Sequence, residues 1–254
     1  MPEIVHLVGA GPGDPELITV KGMRVLGEAD TCLYAGSLVN PGVLTYCRQD
    51  AAIVDTAPLT QEEIDARIRE DWKRDKKVVR VHSGDPSLYG TIAEQAASLR
   101  RDGIPFRVVP GISSFLAAAA ALEVEYTVPG VSQSVIITRR AGRTPVPAAE
   151  ALPGMAAHGT SLCLFLSAGD IAGAVEDLAG GYPADTPAAV VEKVSWPDQR
   201  VVRGTLGTIA QQAAAAGIKR QALILVGKFL TGSGERSRLY DPEFTHGYRQ
   251  GKRG

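Results

Sequence analysis

The first half of the chain alternates short apolar runs with stretches of helical spacing. Apolar, β-branched runs at residues 4–8, 78–82 and 106–109 predict three strands. Each run leads into glycine, proline or serine and then into a helical pattern. This alternation predicts an α/β domain with a mainly parallel sheet. In such a sheet the loops at the carboxyl ends of the strands gather at one edge, and ligands bind there.

Further signals complete the same domain. Asp14 and Pro15 suit the N-cap and the first position of a helix that extends to Ala29. Residues 60–63 (Thr-Gln-Glu-Glu) predict a capping box at the start of a second helix. Other strands are predicted at 31–34 and 52–55, and other helices at 88–101 and 115–122.

The pattern changes near residues 125–131, where we place a domain boundary. The second half combines strands predicted at 134–138, 161–166, 188–193, 200–204 and 222–229 with helices at 148–158, 169–178 and 208–216. A hairpin connection at 192–200 predicts a mixed, partly antiparallel sheet. We expect an N-terminal domain at 1–124, a C-terminal domain at 125–244 and a frayed, polar and basic tail at 245–254.

Composition narrows the class of protein. The chain has 254 residues, 44 % of them hydrophobic, and a net charge of -1, which argues against a nucleic-acid binder. Three cysteines without CxxC spacing and scattered histidines predict neither a disulfide framework nor a metal site. Apolar runs stay short of the roughly 18 residues of a membrane helix. The chain opens directly into a strand, so we expect a cytoplasmic protein that binds no membrane.

The first glycine-rich loop has the shape of a nucleotide-binding turn but not its chemistry. Pro12 and Pro15 lack N–H groups, and Asp14 adds a negative charge, which disfavours a phosphate. A nicotinamide dinucleotide stays open, because Asp30 lies at about the spacing that such cofactors use. Gly-Asp-Pro recurs at 84–86. Aspartates suit a cationic ligand such as S-adenosylmethionine, although both could simply cap helices.

Other side chains carry two interpretations each. Ser113 and Ser114 could bind an adenosine or a carboxylate, or could cap the helix that follows. Tyr89 could act at the site or pack, and His82 is more simply a strand residue than a catalyst. A basic cluster is formed by Arg139, Arg140 and Arg143. It could pair with a polyanionic substrate, or it could be a solvated loop. Weaker candidates of the same kind are Lys193, Lys228 and Trp196.

Three ordered motifs resemble the signatures of the tetrapyrrole methylases. They are residues 8–19 (VGAGPGDPELIT), 83–86 (SGDP) and 110–114 (PGISS). Their order and spacing agree with the family over nearly the whole chain. The resemblance implies two α/β domains with the active site in the trough between them. It also implies a homodimer that binds S-adenosylmethionine in a folded conformation.

Within the family, three segments resemble the precorrin-4 C11-methyltransferases of cobalamin synthesis. They are residues 33–39 (LYAGSLV), 131–139 (VSQSVIITR) and 195–199 (SWPDQ). The resemblance implies methyl transfer to C11 of precorrin-4, giving precorrin-5. The cofactor contacts that it implies are Pro12, Ser83, Gly84, Asp85, Leu88, Ser113, Ser114, Leu166, Val194 and Ala222.

The roles in catalysis stay open at this stage. Asp85 and Tyr89 are the candidates for a role in the reaction, and no base is named. Arg139 is the first candidate for holding the carboxylates of a small-molecule tetrapyrrole substrate. Leu166 stands where the family often has methionine. The alternatives are the anaerobic enzyme for cobalt-precorrin-4, another tetrapyrrole methylase, a nicotinamide-dependent oxidoreductase or a domain that binds the cofactor without turnover.

Overall fold

The computed structural model describes residues 3–251. The internal contacts divide the chain into two compact units. The first reaches to Ala117 and includes Lys193–Gln199, and the second comprises Ala118–Glu192 and the residues from Arg200 onward. The segment 193–199 therefore belongs with the first unit, although it lies in the second half of the sequence.

The first unit contains a five-stranded, fully parallel sheet. Its strands are β1 (Val5–Gly9), β2 (Thr31–Tyr34), β3 (Ala52–Asp55), β4 (Val78–His82) and β5 (Phe106–Val109). They lie in the order β3–β2–β4–β1–β5. The predicted parallel α/β fold is confirmed. Because β4, β1 and β5 are neighbours, the three motif-bearing loops leave the same edge of the sheet side by side.

The helices of this half are α1 (Val20–Gly27), α2 (Gln61–Trp72), α3 (Ile92–Arg101) and α4 (Ser114–Leu122). The capping box predicted before α2 is confirmed. The Thr60 hydroxyl accepts from the N–H of Glu63, and the Glu63 carboxylate accepts from the N–H of Thr60 at 2.7 Å. Both bonds satisfy donors that the first turn of a helix leaves without partners.

The single helix predicted over residues 15–29 is wrong. Asp14 caps only the short 3₁₀ turn Pro15–Leu17. Thr19 then caps α1, accepting a hydrogen bond from the N–H of Gly22 at 3.1 Å. Two caps in close succession divide the stretch, because each one provides a separate start for backbone hydrogen bonding.

The second unit contains a five-stranded mixed sheet. Its strands are β6 (Val135–Arg139), β7 (Ser161–Phe165), β8 (Pro187–Glu192), β9 (Arg200–Thr205) and β10 (Ala222–Val226). The order is β6–β7–β10–β8–β9, with β6 and β7 parallel and the other neighbours antiparallel. The predicted mixed sheet and the hairpin pairing of β8 with β9 are confirmed.

The helices of this half are α5 (Leu152–Ala156), α6 (Ile171–Leu178) and α7 (Leu206–Ala215). The helices predicted at 148–158 and 169–178 each begin with a separate 3₁₀ turn, at Ala148–Glu150 and Ala168–Asp170. Their apolar faces pack in a core around Leu162, Leu164, Ile209 and Ile224. Burial of this kind stabilises a domain by about 25 cal/mol per Å² of apolar surface.

The described part of the C-terminal tail forms hydrogen bonds within itself and with the segment before it. His246 and Arg249 exchange backbone hydrogen bonds of 2.9 and 3.0 Å. The Arg249 guanidinium also donates to the carbonyl of Asp241 at 2.6 Å. The frayed tail at 245–251 stays a prediction, and its part at 252–254 lies outside the described residues. Among the described residues, none of the helices combines the length and apolar character needed to cross a bilayer.

Candidate functional site

Three loops at the carboxyl edge of the parallel sheet touch through bare backbone. Gly11 and Gly84 exchange two hydrogen bonds, with N···O distances of 3.2 and 2.8 Å. A Cβ added to Gly9 would lie 2.6 Å from the carbonyl oxygen of Gly84 and 2.7 Å from Gly111. Contacts this short leave no space for a side chain. The glycines are therefore required by the close approach of the three loops.

Asp85 ties the second loop to the third. One carboxylate oxygen accepts from the N–H of Gly111 at 2.8 Å, and the other accepts from the N–H of Ser87 at 2.9 Å and from its hydroxyl. Burial acts to raise the pKa of Asp85, but the hydrogen bonds from Ser87 and Gly111 outweigh it and hold the pKa below its usual range. The carboxylate is thus ionised and fully engaged, which makes it a structural tie and a weak base.

The turn after this loop has an unusual backbone. Tyr89 and Thr91 both adopt left-handed conformations, with φ of 54° and 52°. Between them, a Cβ on Gly90 would lie 2.4 Å from the carbonyl oxygen of Pro86. The predicted start of α3 at residue 88 is therefore wrong. Left-handed backbone at non-glycine residues costs about 1–3 kcal/mol each and is concentrated at functional sites.

Two predicted site residues, Leu88 and Tyr89, lie in this turn. Leu88 is half-buried, and its N–H donates to the carbonyl of Asp85 at 3.3 Å. The Tyr89 side chain is 44 % exposed despite its size. The interpretation of Asp85 as the cap of the following helix is wrong, since that helix begins only at Ile92.

The remaining predicted contacts of the first unit lie on the same edge. Pro12 and Ser83 are half-buried in the first and second loops. Ser113 is buried directly before α4, and Ser114 is the first residue of that helix. Val194 is buried, and its carbonyl oxygen would lie 2.8 Å from a Cβ on Gly13 in the first loop.

His82 lies at the end of β4, directly before the second loop. Burial, aided by the nearby positive charge of Arg80, lowers the pKa of His82 from 6.5 to about 4, although hydrogen bonding with Gln95 and the backbone of Gly90 opposes the shift. The imidazole is therefore neutral at pH 7. The sequence analysis favoured a packed strand residue here, and the burial of His82 fits that interpretation.

The predicted site residues of the second unit share one edge of their own sheet. Arg139 ends β6 opposite Phe165, and Leu166 follows directly after that residue at the end of β7. Ala222 begins β10, paired with the last residue of β8, Glu192. Leu166 has a left-handed φ of 53° and is 72 % exposed. An exposed large apolar side chain on strained backbone is consistent with a ligand contact.

The basic cluster of this unit separates into two different environments. Arg139 donates to the carbonyl oxygens of Thr144 at 3.1 Å and Pro145 at 2.5 Å, and so closes its own loop. Arg140 forms ion pairs with Asp170 and Asp177. Arg140 is therefore committed to carboxylates of its own unit, whereas Arg139 contacts only neutral carbonyls through these bonds.

The sequence analysis missed two residues that shape the first loop. The Ser195 hydroxyl accepts from the N–H of Asp14 at 2.9 Å. The Asn40 side chain donates to the carbonyl of Gly13 at 2.8 Å. The serine stood inside a quoted motif without a role, and the asparagine carries no sequence signal that points to the loop.

The charges around the three loops indicate the class of ligand. Residues 9–16, 83–88 and 110–115 contain two aspartates, one glutamate and no lysine or arginine. His82 adds no positive charge at neutral pH. These loops offer no positive side-chain charge to neutralise a phosphate, whereas their carboxylates suit a cationic ligand that carries no phosphate. Among the described residues, no group of three or more potential ligands could hold a metal ion.

Comparison with known proteins agrees with this geometry. Residues 5–210 match the family model described as Tetrapyrrole (Corrin/Porphyrin) Methylases. The Cobalt-precorrin-4 C(11)-methyltransferase of Methanocaldococcus jannaschii is 48% identical over 97% of this chain and 96% of its own length. The Precorrin-4 C(11)-methyltransferase of Pseudomonas aeruginosa is 48% identical over 98% and 99% of the two chains.

Solved structures extend the comparison to the fold. A cobalt precorrin-4 methyltransferase matches with a TM-score of 0.87 and 43% identity, over 89% of this chain and 95% of its own. A uroporphyrin-III C-methyltransferase of Thermus thermophilus, complexed with S-adenosylhomocysteine, matches with a TM-score of 0.75 and 30% identity, over 90% and 99%.

Proposed function

This chain belongs to the tetrapyrrole methylase family, and from that premise we propose that it transfers a methyl group from S-adenosylmethionine to C11 of precorrin-4 during corrin synthesis. Two relatives at 48% identity over nearly the full length support the ring position, because both are C(11)-methyltransferases. They differ in the cobalt content of the substrate. The metal-free ring is our working proposal, and the assay below includes both.

The observation that carries the cofactor assignment is the contact among the three loops. Their glycine backbones meet closely, and their only charged side chains near the contact are carboxylates. Bound S-adenosylmethionine supplies an activated methyl group on a sulfonium cation. The contacts that we propose for it, on the family resemblance, are Pro12, Ser83, Gly84, Asp85, Leu88, Ser113, Ser114, Leu166, Val194 and Ala222.

The protein residues would act by binding and orienting. Asp85 fixes the second loop against the third through Gly111, so its role is to position the loops. Tyr89 lies half-exposed on a strained turn, where its ring is suited to orient a bound macrocycle. Placing the attacking carbon in line with the methyl group can contribute about 7–11 kcal/mol to the acceleration. This mechanism requires no strong base, and we assign none.

The proposed substrate carries several carboxylates, and a basic residue of the second unit is suited to bind one of them. Arg139 ends β6 with its guanidinium bonded to neutral carbonyls. A substrate carboxylate would be a stronger acceptor for such a donor than a carbonyl oxygen. We assign Arg139 to substrate binding on this ground, and not to cofactor binding.

A homodimer is part of the proposal. Large apolar side chains of the first unit are exposed, and these are Val20 at 61%, Val108 at 42% and Leu116 at 50%. A contiguous exposed apolar patch marks a surface that binds another protein chain, and we propose these side chains as part of such a surface. Light scattering on the purified protein tests this, since a monomer at micromolar concentration would contradict it.

The decisive assay for the function is anaerobic methyl transfer. The protein is given methyl-labelled S-adenosylmethionine with metal-free precorrin-4 and, in parallel, with its cobalt complex. NMR then locates the label. Label at C11 of the metal-free ring is the expected result. Label only on the cobalt complex would correct the metal state, and label at another carbon or no transfer would refute the proposed ring position or activity.

A further inference from the structure

The connection between β8 and β9 is built to contact the first glycine-rich loop. Residues Lys193–Gln199 belong to the first unit, together with that loop. Lys193 and Ser195 both have left-handed backbone, with φ of 46° and 63°. Such conformations persist at non-glycine residues only where the surroundings enforce them. The segment, which we call the β8–β9 connection, is therefore held in one specific shape.

Several bonds within the connection enforce this shape. The N–H of Ser195 donates to the Gln199 side chain at 2.7 Å. The N–H of Trp196 donates to the carbonyl of Lys193 at 2.9 Å. The Lys193 ammonium forms an ion pair with Asp198 across the base of the connection. Together these contacts hold the backbone that carries Ser195 and Trp196.

Both side chains reach the first loop. The Ser195 hydroxyl accepts from the N–H of Asp14 at 2.9 Å, although the two residues are 181 positions apart. A Cβ on Gly13 would lie 2.1 Å from Cδ1 of Trp196. The indole therefore packs directly against the backbone of Gly13. The loop is thus held by a hydrogen bond at one residue and by an aromatic contact at the residue before it.

The loop needs such support from outside. Pro12 and Pro15 supply no N–H groups, so the loop can form few hydrogen bonds of its own. Its conformation then depends on partners that lie elsewhere in the chain. The carbonyl of Gly13 accepts from Asn40 at 2.8 Å, Gly11 exchanges hydrogen bonds with Gly84, and the connection contacts the loop at Gly13 and Asp14.

We propose that Ser195 and Trp196 are positioning residues for S-adenosylmethionine, which hold the Gly11–Asp14 loop in the conformation that receives the cofactor. This rests on the proposed function, in which Pro12 of that loop contacts the cofactor. Neither residue is assigned a contact with the reacting atoms. Loss of the support should weaken cofactor binding and leave the methyl-transfer step nearly unchanged at saturating cofactor.

The first test measures binding of S-adenosylhomocysteine by calorimetry. Removal of one hydrogen bond in Ser195→Ala should raise the Kd by about 3- to 10-fold. Ser195→Gly also removes the hydroxyl but suits the left-handed backbone at this position, so it should lose as much affinity as Ser195→Ala. Ser233→Ala is the matched control, because that exposed serine contacts Thr231 in the second unit and should bind like the wild type. In turnover, Ser195→Ala should raise the KM for S-adenosylmethionine, with kcat within about 2-fold.

A spectroscopic test covers the case in which a variant folds poorly. The chain has two tryptophans, so Trp72→Phe leaves Trp196 as the single reporter. Titration with S-adenosylhomocysteine should change its emission with the Kd found by calorimetry. Trp196→Phe leaves only Trp72, which bonds to the carbonyl of Glu3, and its emission should not respond.

The outcomes separate the two proposals. No binding of S-adenosylhomocysteine by the wild type would refute the proposed function itself. Binding by the wild type with an unchanged Kd in Ser195→Ala, or with a silent Trp196, would overturn the positioning role and leave the function intact. Wild-type affinity in Ser195→Gly, with a loss only in Ser195→Ala, would also overturn it, because backbone strain and not the missing hydroxyl would then explain the loss.

Discussion

His82 should make the protein lose stability as the pH falls through the weakly acidic range. The side chain is 6% exposed at the end of β4, and burial together with Arg80 lowers its pKa from 6.5 to about 4. In the unfolded chain the imidazole regains its ordinary pKa and binds a proton first as the pH falls. The unfolded state then carries more protons than the folded state, so the free energy of unfolding decreases.

The size of the effect follows from the two pKa values. The difference between 6.5 and about 4 corresponds to about 3 kcal/mol. The loss begins near the unfolded pKa, grows as the pH falls and is complete below the folded pKa. Above about pH 7 the imidazole is neutral in both states and contributes no pH dependence. A loss of this size is a large part of the roughly 5–15 kcal/mol that stabilises a typical domain.

Urea unfolding from about pH 7.5 to about pH 4.5 tests this on the wild type and His82→Gln. Glutamine keeps a donor but cannot titrate, so the variant should be less stable at pH 7 and should depend less on pH. The matched control for losing one imidazole is His158→Gln, at an exposed position. NMR titration of His82 measures its pKa directly. Parallel pH profiles for wild type and His82→Gln, or a pKa near 6.5, would refute the reasoning.

Three further predictions concern the site. Asp85→Asn removes the charge from the tie between the loops and should weaken S-adenosylhomocysteine binding by about 10-fold in calorimetry; unchanged affinity would contradict the structural tie. Gly13→Ala places a methyl group against Trp196 and a backbone carbonyl, and it should destabilise the protein by about 1–3 kcal/mol in thermal unfolding. The double variant Gly13→Ala/Trp196→Leu should recover part of that stability. A Gly13→Ala variant as stable as the wild type would be inconsistent with the contact. Arg139→Ala should raise the KM for the tetrapyrrole and leave the Kd of S-adenosylhomocysteine unchanged, and Arg139→Lys should fall between; the reverse pattern would move Arg139 to the cofactor.

The parallel sheet was predictable because its strands are short apolar runs with clear turn signals. The predicted bounds of four strands agree with the structure, at Thr31–Tyr34, Ala52–Asp55, Val78–His82 and Phe106–Val109. The turn before α3 was not predictable by the same rules. Tyr89 and Thr91 adopt left-handed backbone that local propensity disfavours, so only the tertiary surroundings can select it.

The loops of the site were predictable as motifs, but their contacts were not. Nothing local in the sequence shows that Gly9 and Gly111 approach the same carbonyl of Gly84. The hydrogen bond between Asp14 and Ser195 was harder still to predict, because a contact across 181 positions leaves no periodic pattern in the sequence. Which residues hold the ligand stays a prediction, since it depends on contacts that no local sequence rule describes.

The two Gly-Asp-Pro motifs illustrate why a motif does not fix a role. Asp14 caps a 3₁₀ turn with its side chain, accepting from the N–H of Glu16 at 2.9 Å, while its own N–H is held by Ser195. The two carboxylate oxygens of Asp85 instead accept hydrogen bonds from Ser87 and Gly111, and Asp85 caps no helix. The same three residues therefore stabilise one loop locally and join two loops in the other case. The carboxylate of Asp85 joins two signature loops, whereas Asp14 contacts the β8–β9 connection through its backbone N–H and not through its carboxylate. Loss of the Asp85 carboxylate should therefore weaken cofactor binding more than loss of the Asp14 carboxylate.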